Sequence, residues 1–330
     1  MTGVERIVAH GGEAITDRGL RLAVLIPCFN EEAAIGQVVG AFRAELPDAA
    51  IYVYDNNSTD RTAEIALAAG ALVRRETRQG KGNVVRRMFA DVDADIYVLV
   101  DGDATYDAPS VTAMIARLLA DRLDMVVAAR ADHDSAAYRP GHRLGNWLFT
   151  TFIASIFAPT FTDILSGYRV FSGRFVKSFP VLSSGFEIET ELAVHALALE
   201  LPVAEIVAPY YARPRGSASK LSTWRDAWRI LATIVRLARS ERPLLFFSAI
   251  GIALAALSIA LAVPIVMTFL ETGLVPRFPT AILSTGLMLL GFLSLASGLI
   301  LDTVTRGRRE LKLLAYLQQR PPGEGSDWRR

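Results

Sequence analysis

The sequence predicts an α/β fold with a mainly parallel central sheet, covered on both faces and followed by a two-helix apolar hairpin. Three features carry that prediction. Up to about Arg242, short apolar runs alternate with polar helical patterns, as in strands joined by crossover helices. Turns rich in acidic and amide side chains follow the runs. Beyond Arg242 lie two long stretches without a charged residue, 244–270 and 280–301, each able to cross a hydrocarbon core of roughly 30 Å.

In chain order, residues 1–20 lack the apolar centre of a signal peptide and read as a flexible polar lead-in. Strands are expected at 21–26 (RLAVLI), 50–54 (AIYVY), 96–100 (IYVLV) and 125–129 (MVVAA), with a shorter one at 71–74. Helical periodicity intervenes at 33–45, 61–69, 81–91 and 109–120. Together these predict one domain over 21–215. Within it, 141–158 centres on an apolar, aromatic run from Trp147 to Phe157 that is too short to span. It reads either as an interfacial helix or as a buried core helix.

Residues 216–242 are expected to form a juxtamembrane amphipathic helix. Trp224, Trp228, Leu231 and Val235 recur at helical spacing while arginines occupy other faces, a pattern suited to anionic headgroups. The hairpin follows at 243–304. Arg225, Arg229, Arg236, Arg239 and Arg242 precede it, Arg306, Arg308, Arg309 and Lys312 follow it, and the linker between the spans holds a single arginine. The positive-inside rule places both outer flanks in the cytoplasm. The expectation is a multi-pass protein of the inner (plasma) membrane whose large domain faces the cytosol. Residues 305–330 form a cytoplasmic tail, and its amphipathic part at 310–319 either mediates homo-oligomer formation or is a solvated helix.

Composition removes several function classes. A formal net charge of +1 over 330 residues argues against a nucleic-acid partner, which needs a basic field. Cys28 is the sole cysteine, so neither an intramolecular disulfide framework nor a cysteine zinc cluster can form. His10, His133, His142 and His195 are scattered without ligand spacing. No GxGxxG follows the first strand and no P-loop occurs, which removes the main support for a dinucleotide oxidoreductase or a P-loop NTPase.

Open parallel sheets bind ligands beyond the C-terminal ends of their strands. After the first strand comes Pro27-Cys28-Phe29-Asn30-Glu31-Glu32, in which Asn30 is a candidate cap for the next helix. After the second comes Asp55-Asn56-Asn57-Ser58-Thr59-Asp60, and after 96–100 comes Asp101-Gly102-Asp103. Two carboxylates separated by one glycine can approach a single divalent cation. Hard oxygen donors suit Mg²⁺ or Mn²⁺, which bind readily through one or two carboxylates together with substrate phosphates. An Asp-x-Asp alone is a weak signal, but here three acidic or amide-rich turns fall at the strand ends of one sheet.

These residues resemble a known family. Pro27-x-x-Asn30-Glu31, Asp55-x-Asn57-Ser58-x-Asp60-x-Thr62, Gly80-Lys81-Gly82 and Asp101-x-Asp103 are similar to family 2 glycosyltransferases of GT-A fold. Thr162-Asp163-x-x-Ser166-Gly167-Tyr168-Arg169 and Arg213-x-x-Gly216-x-x-Ser219-Lys220-Leu221 resemble dolichyl-phosphate mannosyltransferases and bacterial polyprenyl-phosphate glycosyltransferases. The resemblance covers about residues 20–225 and implies a nucleotide-sugar donor and a polyprenyl phosphate acceptor at the bilayer surface. It implies that Pro27, Phe29, Glu31, Val53 and Asp55 line a nucleoside pocket. It adds Lys81, Gly102 and Arg130 on the nucleotide-sugar, places the metal on Asp101 and Asp103, and assigns Arg169, Arg213, Ser219 and Lys220 to phosphates. Two departures stand out: Asn56 replaces an acidic residue, and the stretch from Arg213 to Lys220 is one residue longer than in the mannosyltransferases. Either Arg213 or Arg215 then makes the phosphate contact.

The resemblance implies a single displacement with inversion. A phosphate monoester is largely ionised near neutral pH, its second pKa being near 6, so its oxygen needs no obligatory base. Asp163 and Asp107 are the candidates if a base or sugar-orienting carboxylate is used, followed by Glu187 and Glu189. Two rivals are a processive polysaccharide synthase and a non-catalytic nucleotide-binding membrane scaffold. The first lacks its Gln-x-x-Arg-Trp element here, and the second leaves the acidic pair and the basic segment without a purpose.

Overall fold

The computed structural model describes residues 19–131, 161–185, 187–213, 232 and 235–321. The expected interfacial helix at 141–158, most of the juxtamembrane stretch, and Arg215, Ser219 and Lys220 lie outside these residues.

The alternating half of the sequence becomes β1 (Leu22–Cys28), α1 (Ile35–Glu45), β2 (Ala50–Asp55), α2 (Thr62–Ala68), β3 (Leu72–Arg75), α3 (Lys81–Asp91), β4 (Ile96–Leu99), α4 (Ser110–Ala120) and β5 (Met125–Ala131). The periodicities explain these states. β4 is buried along its whole length, as a central strand covered on both faces must be. α1 buries Ile35, Val38, Val39 and Phe42, one helical stripe facing the sheet.

Three further elements are not expected from the sequence, β6 (Arg169–Ser172), α5 (Gly173–Ser178) and β7 (Val203–Pro209), and the apolar helix start in GFEIETEL becomes α6 (Ile188–Ala198). The sheet has seven strands in the order β3-β2-β1-β4-β6-β5-β7. β6 is antiparallel to both β4 and β5, whereas the other pairings are parallel. The sheet is therefore mostly parallel, and six strands deliver their C-terminal ends to one edge.

The chain divides into two compact units, residues 1–227 together with 312–330, and residues 228–311. In the second unit, α7 (Pro243–Thr272) and α8 (Phe278–Leu317) are long and apolar enough to cross a membrane, each holding an 18-residue apolar window with a mean hydropathy of 2.5 and 2.0 respectively. Only 11% of each apolar window is buried inside the protein, unlike a soluble core helix. Gly251 and Gly291 let the two backbones meet: a Cβ on either would lie 2.9 or 3.0 Å from the other's carbonyl oxygen. Ser258 and Ser284 each donate to the other's carbonyl, at 2.7 and 3.1 Å.

α8 runs on into the expected tail, and residues from Lys312 onward group with the first unit. Tyr316 donates to Asp124 Oδ2 at 2.8 Å, and its ring lies 4.6 Å from the Arg174 guanidinium carbon. Asp124 is fully buried and also accepts from Ser172 and Arg174.

Candidate active site

Parallel pairing of β1 with β2 sets Cys28 opposite Asp55, so the turns that follow them lie side by side. Asn30 does not cap α1, which begins at Ile35 without a side-chain cap. Its backbone adopts φ 53°, its N–H donates to Ser58 Oγ at 2.9 Å, and its side-chain oxygen accepts from the Thr59 N–H at 2.8 Å. The expected cap is instead a cross-link between two loops. Asp55 is buried and accepts from the Ser58 N–H. Pro27 and Phe29 remain partly exposed at this edge, and Glu31 is buried there. Val53 is wholly enclosed in the core, so its side chain cannot line a nucleoside pocket.

Asn56, the departure from the family pattern, has a physical reason. Its amide donates to the carbonyls of Glu76 and Arg78 at 2.9 and 2.8 Å, and its oxygen accepts from the Gly80 N–H at 2.7 Å. An ionised carboxylate only accepts, so an acid at this buried position would leave two carbonyls unpaired. Asn56 ties the β2 turn to the loop that presents Lys81.

The acidic turn after β4 is packed from both sides. A Cβ on Gly102 would meet the Cys28 sulfur at 2.6 Å, and one on Gly167 would meet Asp101 Oδ2 at 2.5 Å. A side chain at either position would displace the Cys28 sulfur or the Asp101 carboxylate. Asp101 lies 2.5 Å from Lys81 Nζ, and Lys81 also pairs with Glu189. Asp103 is buried; Oδ1 accepts from the Thr105 hydroxyl at 2.6 Å and Oδ2 lies 2.7 Å from Arg213. Burial, then the charge of Asp101, raise the Asp103 carboxyl above its ordinary value, against the opposing pull of Arg213 and Thr105. Two crowded carboxylates with hard oxygens, one short of neutral comfort, fit a divalent cation. Among the described residues no third Asp, Glu, His or Cys completes a protein cage, so substrate phosphate and water would supply the other ligands.

Arg213 arrives because the chain after β7 folds back on the acidic turn. Tyr106 and Tyr210 form an antiparallel bridge, and the Tyr211 N–H donates to the Thr105 carbonyl at 2.8 Å. Arg130, at the end of β5, donates from two nitrogens to both oxygens of Asp163, at 2.6 and 2.8 Å, and lies 5.5 Å over the Tyr210 ring. Tyr106 is partly buried among these groups and its hydroxyl accepts from the Gly167 N–H; desolvation raises it above the ordinary tyrosine value. A cavity of about 200 Å³ borders Asp101, Tyr106, Asp107 and Tyr211.

The structure thus brings Lys81, Asp101, Asp103 and Arg213 together, with Arg130 and Asp163 as a neighbouring pair. Arg169 is not among them. It is wholly buried on β6 and donates to the carbonyls of Ser166 and Ile164, and burial lowers its pKa to about 10. It braces the loop that carries Asp163 rather than meeting a phosphate. Asp107, just ahead of α4, accepts from the Ser110 N–H and hydroxyl and from the Tyr211 hydroxyl. Glu189 was ranked low from sequence, and Tyr106 was not singled out.

Residues 23–179 match the glycosyl transferase family 2 domain. Glycosyltransferase AglJ of Haloferax volcanii is 33% identical over 291 residues, covering 88% of this chain and 95% of that protein. The chain belongs to glycosyltransferase family 2. This family 2 glycosyltransferase is also 27% identical over 221 residues to a dolichyl-phosphate hexose transferase of the same organism, covering 67% of this chain and 95% of the relative. Glucosyl-3-phosphoglycerate synthase of Mycobacterium tuberculosis, solved with Mn²⁺, UDP and its product, superposes with a TM-score of 0.54 at 22% identity, covering 69% and 83% of the two chains. That likeness establishes the GT-A fold.

Proposed function

We propose that this family 2 glycosyltransferase moves a hexose from a UDP- or GDP-linked donor onto a polyprenyl phosphate at the cytoplasmic face of the membrane, with inversion, providing lipid-linked sugar for glycan or glycoprotein assembly. The observation that carries the reading is the acidic turn itself: Asp101 and Asp103 at the strand ends, each held by a cation, Lys81 and Arg213. Both substrates are anionic, and the difficulty in joining them is charge repulsion. Mg²⁺ or Mn²⁺ on Asp101 and Asp103 would neutralise charge on the departing diphosphate.

The chain's own residues do the rest. Pro27, Phe29, Glu31 and Asp55 border the nucleoside. Lys81 and Arg130 turn toward the donor phosphates, and Arg213, with Ser219 and Lys220 of the same segment, receives the acceptor phosphate. The acceptor is already an anion at neutral pH, so no general base is needed. Asp163, engaged by Arg130, and Asp107, bonded to Ser110 and Tyr211, would orient the sugar rather than deprotonate. A lipid acceptor is supported by α7 and α8, whose apolar surface is exposed, and by the printed name of the dolichyl-phosphate relative. The domain organisation follows: a catalytic domain over 21–215, a juxtamembrane helix, the hairpin anchor and a cytoplasmic tail.

The test is a panel of labelled nucleotide-sugars with polyprenyl phosphate, run with Mg²⁺, with Mn²⁺ and with chelator. Metal-dependent transfer of one hexose to the lipid phosphate supports the proposal. Transfer that persists in chelator, or a polymeric product, overturns it.

A further inference from the structure

Glu189 has no part in the function as stated, yet it is one of the most enclosed carboxylates in the molecule. Its side chain is 8% exposed, and it shares the Lys81 ammonium with Asp101. The sharing is built into the fold. A Cβ on Gly80 or Gly82 would collide with the carbonyl oxygens of Ser184 and Ser183, so the start of α3 can lie directly on the 183–185 segment. The Gly82 N–H donates to the Gly185 carbonyl at 3.1 Å. Arg86 on α3 donates to the carbonyls of Val181, Leu182 and Ser183, while Glu191 on α6 accepts from the N–H groups of Leu182 and Ser183, both at 2.8 Å. α3 and α6 are thereby sutured through one segment, and the suture sets Lys81 against Glu189.

We propose that Glu189 is a positioning residue that keeps Asp101 exchangeable between the Lys81 ammonium and a divalent cation. The inference rests on the metal site proposed above. Lys81 bridges Asp101 and Glu189, Arg213 holds Asp103, and the buried Arg169 guanidinium also feels the charge of Glu189. Without Glu189 the ammonium has one carboxylate partner, closes on Asp101 and competes with the cation for it. With Glu189 present, Lys81 has a second anchor when Asp101 turns to the metal, and its charge stays in place for the incoming diphosphate.

The experiment measures Mn²⁺ binding alone, without nucleotide, by water-proton relaxation on the full chain in detergent. Glu189→Gln should weaken Mn²⁺ binding about tenfold, as expected for one nearby charge in a medium of intermediate dielectric, and Glu189→Asp should restore most of it. Lys81→Met should tighten Mn²⁺ binding, and in that background Glu189→Gln should have little effect. Unchanged Mn²⁺ affinity in Glu189→Gln, or the same loss with and without Lys81, overturns the role through Lys81. Should Glu189→Gln fail to fold, Lys81→Met decides by itself: weaker or equal Mn²⁺ affinity sinks the proposal. Failure of the metal site itself looks different, because Asp103→Ala would then bind Mn²⁺ as the wild type does.

Discussion

Arg213 lies 2.7 Å from Asp103, although the two are separated in sequence by α4, β5, β6, α5, α6 and β7. The acidic turn and Arg213 therefore belong to one cluster. Asp103→Ala should reduce transfer by about 10³-fold, the scale of losing a principal electrostatic contact in a reaction of this type. Arg213→Ala combined with Lys220→Ala should raise the KM for lipid phosphate more than that for the nucleotide-sugar. Steady-state kinetics with each substrate varied in turn checks both outcomes, and equal effects on the two KM values would remove Arg213 from the acceptor side.

Gly102 offers a test that touches no charge. The Cys28 sulfur occupies the space that a methyl group would need, so Gly102→Ala must push the turn outward. A stability loss of about 1–3 kcal/mol is expected from overpacking, with transfer down about 10²-fold, the effect of a shift near 1 Å at a reacting centre. Restoring room by Cys28→Ala in the Gly102→Ala background should recover part of both. No recovery would show that the turn is displaced for another reason.

His195 predicts a pH dependence of stability. It is buried between Phe175 and Phe179, and neither ring nitrogen has a partner among the described residues. Burial, helped by the charge of Lys312, lowers its pKa to about 3. The unfolded chain takes up a proton near pH 6.5 that the folded chain refuses, so stability falls as pH drops from 6.5 toward 3. The slope attributable to one such group is about 1.4 kcal/mol per pH unit. His195→Phe should flatten that part of the curve, as measured by thermal melts between pH 4 and pH 8, and should leave transfer at neutral pH intact.

Gly291 tests the hairpin. Because a Cβ at this position would lie 3.0 Å from the Gly251 carbonyl oxygen, Gly291→Leu should separate α7 from α8 and cost roughly 1–3 kcal/mol in a detergent unfolding titration. Ser258→Ala should cost less, about 0.6 kcal/mol, the usual worth of such a bond in an apolar solvent. Equal costs would mean that hydrogen bonding, not close approach, governs the pair.

The first half of the fold was legible because its residues announce their own state. Apolar runs such as IYVLV and stripes such as that of α1 state their partners by period alone. β6, α5, β7 and the body of α6 do not. α6 is buried around most of its circumference, including Glu189, Thr190 and His195, so no polar face marks it as a helix. β6 begins with a buried arginine and spans only Arg169–Ser172. At the site, the acidic turn was visible as a local motif, whereas Lys81 with Glu189 and Arg130 with Asp163 are pairings between distant segments. Asn30 shows the converse error: a residue with strong capping preference was taken up by the neighbouring loop, a stronger competitor than the helix start.

The hydrogen bond from Tyr316 to Asp124 has a practical consequence for anyone shortening this chain. Ending it ahead of Pro243 discards more than the two long apolar helices, because Asp124 loses a donor and Arg174 the ring beneath it. A truncated form should therefore be judged with residues 312–321 grafted back or supplied as a peptide before poor behaviour is blamed on the loss of the hairpin.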